Sequence, residues 1–437
     1  MLGALVTPAT YRAASYLAAP IVPFLLARRT RRGKEDETRR GERLGHASLA
    51  RPDGPLVWLH AASVGESLSI LPLVGRLMAG RPELTVLVTS GTTTSARLLA
   101  ERLPAGALHQ FVPVDRTDAV RRFLDHWQPD LALWVESELW PNLVLETAHR
   151  GVPMALVNAR MSGRSAERWS RLPRLAGPLL GAFSRVLAQS DVDATRFRAL
   201  GGRAVSTPGN LKFDAPPPDA DNDVVHALRQ QIGERPHWLA ASTHPGEERI
   251  VADAHLALAQ DHNGLLTILC PRHPERGDAI AEELAELGFT VARRSRAEPI
   301  AAETDVYLAD TLGEMGLLYR LARVVFIGGS LRPHAGHNPV EAAQLGCALI
   351  TGPDMRNFAN AAAALGSAGG LVTVHDAATL ADAIGAWLAD SDALRCAGAA
   401  AQDAAAGLGG ALDITLDTLA PLLPPQTGGH EANNARA

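Results

Sequence analysis

The chain has 437 residues, a formal net charge of -5 and 46% hydrophobic residues, enough for two ordinary domains with full cores. That mildly acidic balance gives no global case for nucleic-acid binding, and no nucleic-acid partner is expected. Its three cysteines, Cys270, Cys347 and Cys396, build neither a metal spacing nor a disulfide framework, the pattern of a reducing compartment.

Residues 1–27 are mostly apolar and end in Arg28-Arg29-Thr30-Arg31-Arg32. Pro8, Arg12, Pro20 and Pro23 interrupt the run, which falls short of the ~20 clean apolar residues that a membrane span prefers. The basic cluster follows the apolar stretch, whereas a signal peptide carries its charge before it. By the positive-inside rule, that cluster keeps the following domains in the cytoplasm. Three readings remain open for residues 1–45: a poor single-span anchor, a segment lying on anionic lipid, or a helix packed on its own domain.

From here apolar runs alternate with amphipathic stretches. Leu56 to Leu59 reads as a buried strand. It runs into His60-Ala61-Ala62-Ser63-Val64-Gly65-Glu66-Ser67, after which Leu68, Ile70, Leu71, Val74 and Leu77 recur at helical spacing. Glu66 thus lies at the carboxyl end of a strand, where open α/β sheets place ligands. Alternatively it complements the positive end of its helix, which would keep it ionised. Leu84 to Thr89, Leu108 to Val114, Leu131 to Val135, Pro153 to Val157, Arg185 to Ala188 and Ala204 to Thr207 are further predicted strands. Strand and helix repeating with short connections predict a doubly wound parallel sheet over residues 46–214.

A proline-rich linker, Asp214-Ala215-Pro216-Pro217-Pro218-Asp219, ends this domain. The alternation restarts at Trp238 to Ala241 and continues through Leu265 to Leu269, Val306 to Leu308, Val324 to Ile327 and Ala348 to Ile350. Residues 219–424 are predicted as a second such domain, with a cleft between the two. Residues 425–437 are predicted to be disordered.

No phosphate-binding glycine loop follows a strand, so neither common nucleotide fingerprint applies. Chemistry is expected in the strand-end loops. Glu136 and Glu138 follow an apolar strand. Arg272 and His273 follow another, and arginine pairs naturally with phosphate oxygens. Gly313-Glu314-Met315 opens a helix whose amides can hold an anion, unless Asp310 or Thr311 simply caps it. His334 and His337 precede Asn338-Pro339-Val340-Glu341. No third ligand keeps metal spacing with them, so no metal is expected. Glu341 is placed to accept from ribose hydroxyls or to fill the helix dipole.

These motifs together resemble the bacterial 3-deoxy-D-manno-octulosonic acid (Kdo) transferases. The resemblance runs in order through Ser63-Val64-Gly65-Glu66, Glu136-Ser137-Glu138-Leu139-Trp140-Pro141-Asn142, Asn158-Ala159-Arg160, Gly209-Asn210-Leu211-Lys212, Ser242 to Glu248, Pro271 to Arg276, Gly313 to Met315 and Gly336 to Glu341. One departure is Ala61-Ala62, where family members often have a serine. The resemblance implies a GT-B glycosyltransferase, two Rossmann-like domains, inverting and metal-independent, needing no cofactor. It would move Kdo from CMP-Kdo to a lipid A precursor on the cytoplasmic side of the inner membrane. It implies Glu66 as general base, Glu138 and Lys212 on the acceptor side, and CMP binding by Pro271, Arg272, Gly313, Glu314, Met315, Asn338, Pro339, Val340 and Glu341. Two other classes use similar folds: sugar-nucleotide 2-epimerases, which need no lipid acceptor, and non-catalytic sugar- or nucleotide-binding proteins, which need no base.

Overall fold

The computed structural model describes residues 5–425, so most of the predicted disordered tail, 426–437, lies outside the described residues. The chain divides into two compact units, one reaching from the amino terminus to Ala215 and resuming at Gly409, the other Pro216–Leu408.

The first unit holds seven strands: β1 Leu56–His60, β2 Thr85–Ser90, β3 Leu108–Phe111, β4 Leu131–Val135, β5 Met154–Ala159, β6 Arg185–Ala188 and β7 Val205–Ser206. They pair in parallel in the order β3-β2-β1-β4-β5-β6-β7. β1 and β4 are buried along their whole length, as near-continuous apolar runs require when helices cover both faces. Leu56, Trp58 and Trp134 pack on one face, and Val57, Leu59 and Val135 on the other. Strand order reverses between β1 and β4, which puts the loops after them at the sheet's ligand-binding position.

The second unit also has seven parallel strands: β8 His237–Thr243, β9 Leu266–Pro271, β10 Val291–Arg293, β11 Val306–Leu308, β12 Val324–Ile327, β13 Ala348–Thr351 and β14 Leu371–Thr373. Their order is β10-β11-β9-β8-β12-β13-β14, and it reverses between β8 and β12. Two of these strands, β10 and β14, escaped the sequence reading. Each has three residues and sits at an edge, and β14 buries only Leu371, so neither makes a detectable apolar run.

The chain's end corrects the expected 219–424 boundary. Helix Ala411–Leu419 belongs to the first unit, where Ala411, Leu412 and Leu419 join the cluster containing Val57 and Leu73. The Asp214 carboxylate accepts the amides of Gly410 and Leu412 and so caps this returning helix.

The amino terminus forms two helices, Pro8–Leu17 and Ile21–Arg31. The first is anchored on helix Pro141–His149: Tyr11 donates to Asp115, which accepts the Leu143 amide, and Arg12 pairs with Glu146 at 2.9 Å. Leu17, Ile21 and Phe24 are 83%, 55% and 67% exposed, so the first helix packs on its own domain through Tyr11 and Arg12 while an apolar strip is left open to solvent. Among the described residues, no helix is long and apolar enough to cross a membrane.

Candidate active site and strand-end loops

Ser63 caps helix Val64–Gly80, accepting the Glu66 amide at 3.3 Å. The Glu66 side chain turns back on the cap: Ser63 Oγ donates to Oε1 and the Ala62 amide to Oε2, each at 2.8 Å. Both carboxylate oxygens are therefore oriented by the loop that follows β1. Glu66 is 9% exposed. Burial, against the Ser63 hydrogen bond and with repulsion from Glu138 and Glu136, raises its pKa to about 7. The sequence argument expected the helix end to keep it ionised; desolvation outweighs that effect.

Beside it, Glu136 directly follows β4 and is held at φ 54°. A non-glycine residue in this left-handed region costs energy, the kind of strain that concentrates at functional sites. Glu138 accepts from the half-exposed Trp140 indole at 2.7 Å, and its pKa is raised chiefly by burial. His60, the last residue of β1, is fully buried and pushed down to about 4 by burial, so it is neutral. Its Nε2 has no hydrogen-bond partner and lies 3.9 Å from Glu138.

Lys212 sits on the short turn Leu211–Phe213, where the Asn210 side chain accepts its amide and Asn158 accepts that of Leu211. Asn158 is itself left-handed (φ 49°), between the β5 residues whose register with β6 shifts. Lys212 Nζ reaches Glu136 Oε1 at 2.9 Å. The structure thus gathers Glu66, Glu136, Glu138 and Lys212 in one place. Sequence reasoning missed the Glu136–Lys212 pairing and the buried His60; for His60 the signal was its position directly ahead of the Glu66 loop.

In the second unit, Pro271 ends β9 and Arg272 is exposed after it, its amide bonded to the Thr243 carbonyl. Cys270 Sγ meets Met315 Sδ at 3.7 Å, which brings the β9 end to Gly313–Met315. Gly313 is left-handed (φ 84°). Neither Asp310 nor Thr311 caps the following helix Met315–Leu321. Asp310 is taken by Arg293 and Ser295, and Thr311 donates to Glu314. Glu314 also pairs with Arg294 at 2.7 Å, which holds its pKa down. Asn338 links its own loop, accepting the Val340 amide and donating to Glu341 at 3.0 Å. Pro339 leads into helix Val340–Gln344, and Val340 is buried. Burial raises the Glu341 pKa.

Two doubly wound parallel-sheet units, each with its polar loops where the strand order reverses, define the GT-B class of two-domain fold. A glycosyltransferase from Rickettsia africae has this fold at 12% identity, with 85% of this chain and 99% of that one covered and a TM-score of 0.59. The UDP-GlcNAc 2-epimerase of Neisseria meningitidis shares it too, at 13% identity, 84% and 100% coverage and a TM-score of 0.58. Such likenesses concern the fold alone. A family model described as 3-deoxy-D-manno-octulosonic-acid transferase (kdotransferase) matches residues 38–215. The 3-deoxy-D-manno-octulosonic acid transferase of Bordetella pertussis is 38% identical over 414 residues, covering 92% of this chain and 96% of that protein. The chain belongs to the Kdo transferase family and is a glycosyltransferase.

Proposed function

We propose that this chain is an inverting, metal-independent transferase that moves Kdo from CMP-Kdo to a hydroxyl of a tetraacylated lipid A precursor, with Glu66 as general base. The observation that carries the reading is a buried, doubly oriented carboxylate with a pKa near the working pH, in a chain of this family. A base is most effective when its pKa lies close to ambient pH. The acceptor oxygen forms a bond to the anomeric carbon as its proton passes to Glu66. The bond from that carbon to the phosphate oxygen breaks, and its electron pair leaves with cytidine monophosphate. Arg272 and the amides around Gly313 to Met315 supply the positive potential that the departing phosphate needs. Glu138 and Trp140 line the acceptor side, and Lys212 donates to Glu136 beside them.

Location at the cytoplasmic face of the inner membrane is part of the same proposal. Leu17, Ile21, Phe24 and Leu25 are exposed, and Arg28, Arg31, Arg32 and Lys34 follow them. An apolar strip with a basic flank suits an anionic lipid surface.

The test is incubation with CMP-Kdo and the tetraacylated precursor, read by mass spectrometry, for the native chain and Glu66→Gln. Kdo addition by the native chain alone, with CMP still bound by the variant, is the expected result. Turnover by Glu66→Gln removes Glu66 from the base role. Epimerisation of a UDP-sugar without CMP binding favours the epimerase class instead.

A further inference from the structure

The second sheet carries a group of imidazoles that the transfer chemistry above leaves unused. They lie where the strand order reverses, the position at which open α/β sheets bind ligands. His244 follows β8, His273 follows β9, and His334 and His337 follow β12. The His244 ring stacks on His334 with centroids 4.1 Å apart and on His337 at 5.1 Å, and meets His273 edge-on at 5.9 Å. Nε2 of His244 lies 2.9 Å from Nε2 of His337.

The backbone is built to hold this pair. Ser242 is left-handed (φ 57°) where β8 and β9 shift register, a bulge that re-aims the residues after it. The fully buried Glu247 carboxylate accepts four amides, from His244, Gly329, Ser330 and Leu331, at 2.7 to 3.1 Å. That ties the loop after β8 to the loop after β12. A Cβ on Gly329 would lie 3.1 Å from His337 and 3.2 Å from His244, so the glycine leaves the space the rings occupy. Ala335, between His334 and His337, is also left-handed (φ 67°).

Two imidazoles joined Nε2 to Nε2 need one N–H and one bare nitrogen at the junction. The neutral pair meets that condition, and so does the pair carrying one added proton. A second added proton would set two N–H groups head to head. The pair therefore accommodates one proton and no more. The groups facing it are Arg272 and His273 from the loop after β9, His334 from the loop after β12, and Glu248 from the start of helix Glu247–Leu258. Glu248 is occupied by Arg276 at 2.7 Å, and Glu247 by its four amides. Burial first, then the neighbouring imidazoles and Arg272, pushes both His244 and His337 down to about 4, with Glu248 opposing this at His244. The free pair is neutral at neutral pH, and an incoming anion is the charge that reverses this. Among the described residues, no group of three or more histidine, cysteine or acidic side chains is arranged to hold a metal ion.

We propose that the His244–His337 pair, with Arg272 nearby, is a one-proton subsite for the phosphate monoester of cytidine monophosphate, and that it takes up a proton from solvent as that phosphate binds. The proposal rests on the reading that this unit binds a CMP-sugar donor. The bound proton places positive charge where the departing phosphate gathers negative charge.

The experiment is calorimetric titration of CMP, and separately cytidine, into the full chain near neutral pH, in PIPES and in ACES, buffers of different ionisation heat. Uptake rising toward one proton with CMP, and none with cytidine, is expected. His244→Asn and His337→Asn should abolish the uptake and weaken CMP binding by about tenfold, the loss of one charge-assisted hydrogen bond, while cytidine binding holds. Unchanged cytidine binding also shows that the variants fold; if they do not, the contrast between CMP and cytidine in the native chain decides. CMP binding without proton uptake, or uptake surviving in both variants, overturns the subsite and leaves the donor reading standing. Failure of the native chain to bind either compound overturns both.

Discussion

Lys212 Nζ donates to Glu136 Oε1 at 2.9 Å, so of the two carboxylates that raise the Glu66 pKa, one has a cation of its own and the other, Glu138, pairs with no lysine or arginine among the described residues. Removing the cation should therefore move Glu66. In Lys212→Met the Glu136 charge is uncompensated, and the carboxyl of Glu66 is held protonated to higher pH. The rising limb of the pH–rate profile should shift upward, and turnover at neutral pH should fall. A profile that keeps its position while the KM for the acceptor rises would place Lys212 in acceptor binding alone.

Glu138 should act with the opposite sign. Its charge raises the Glu66 pKa, so Glu138→Gln removes a like-charge neighbour and the rising limb should move to lower pH. Trp140, which donates to Glu138 at 2.7 Å, loses its charged acceptor in the same variant. A higher acceptor KM is expected with it, measured by initial rates at several pH values.

On the proposed role of Glu66 as base, its carboxylate must be ionised, and its pKa is raised to about 7. Activity should climb through that pH and level off above it. Glu66→Gln should remove the limb along with roughly two to four orders of magnitude of rate, the usual scale of positioned base catalysis. Stability carries the reverse sign. A raised carboxyl pKa means the fold prefers the neutral form, so the Glu66 contribution is full below about pH 4.5 and is lost as pH rises through about 7. Glu66→Gln should thus be more stable than the native chain in alkaline buffer, by on the order of 1–3 kcal/mol, as urea unfolding at pH 6 and pH 9 would show.

Much of this was legible in the sequence where one residue type recurs over a whole element. The strands buried on both faces declared themselves as apolar runs, and the strand-end loops that follow β1, β4 and β9 were named from position alone. Long-range partners were not legible. Glu136 and Lys212 are 76 residues apart, and nothing local says that one turns toward the other. Helix Ala411–Leu419 shows an apolar face without saying which sheet it covers, and Asp214, which caps it, reads as the start of a linker. The Glu66 pKa was misjudged for a related reason: helix position is visible in sequence, but the depth of burial that outweighs it is not.

Asp214 offers a direct check on the returning helix. Its carboxylate accepts two amides, of Gly410 and Leu412, and Asp214→Ala leaves both without that partner. A loss of about 1–2 kcal/mol is expected, the range for removing an acidic helix cap. Hydrogen exchange should localise the loosening to residues 411–419. Protection lost throughout the Pro216–Leu408 unit instead would contradict the assignment of that helix to the first unit.

The amino-terminal helices give the last expectation, one that depends on lipid charge as well as apolar area. Phe24 is 67% exposed and Leu17 83%, and burying a side chain of either kind contributes about 1.5–3 kcal/mol. Phe24→Glu should therefore reduce sedimentation with anionic vesicles by at least about tenfold. Replacing Arg31 and Arg32 with glutamine should weaken binding to anionic vesicles and leave the weaker binding to neutral vesicles unchanged, with a loss that shrinks at high salt. Because helix Pro8–Leu17 is anchored through Tyr11, Asp115 and Arg12 to helix Pro141–His149, which directly follows Trp140, Phe24→Glu should retain turnover on a detergent-dispersed acceptor. Lost turnover on vesicles alone would assign these residues to membrane docking. Equal loss on both acceptors would assign them to the stability of the first unit.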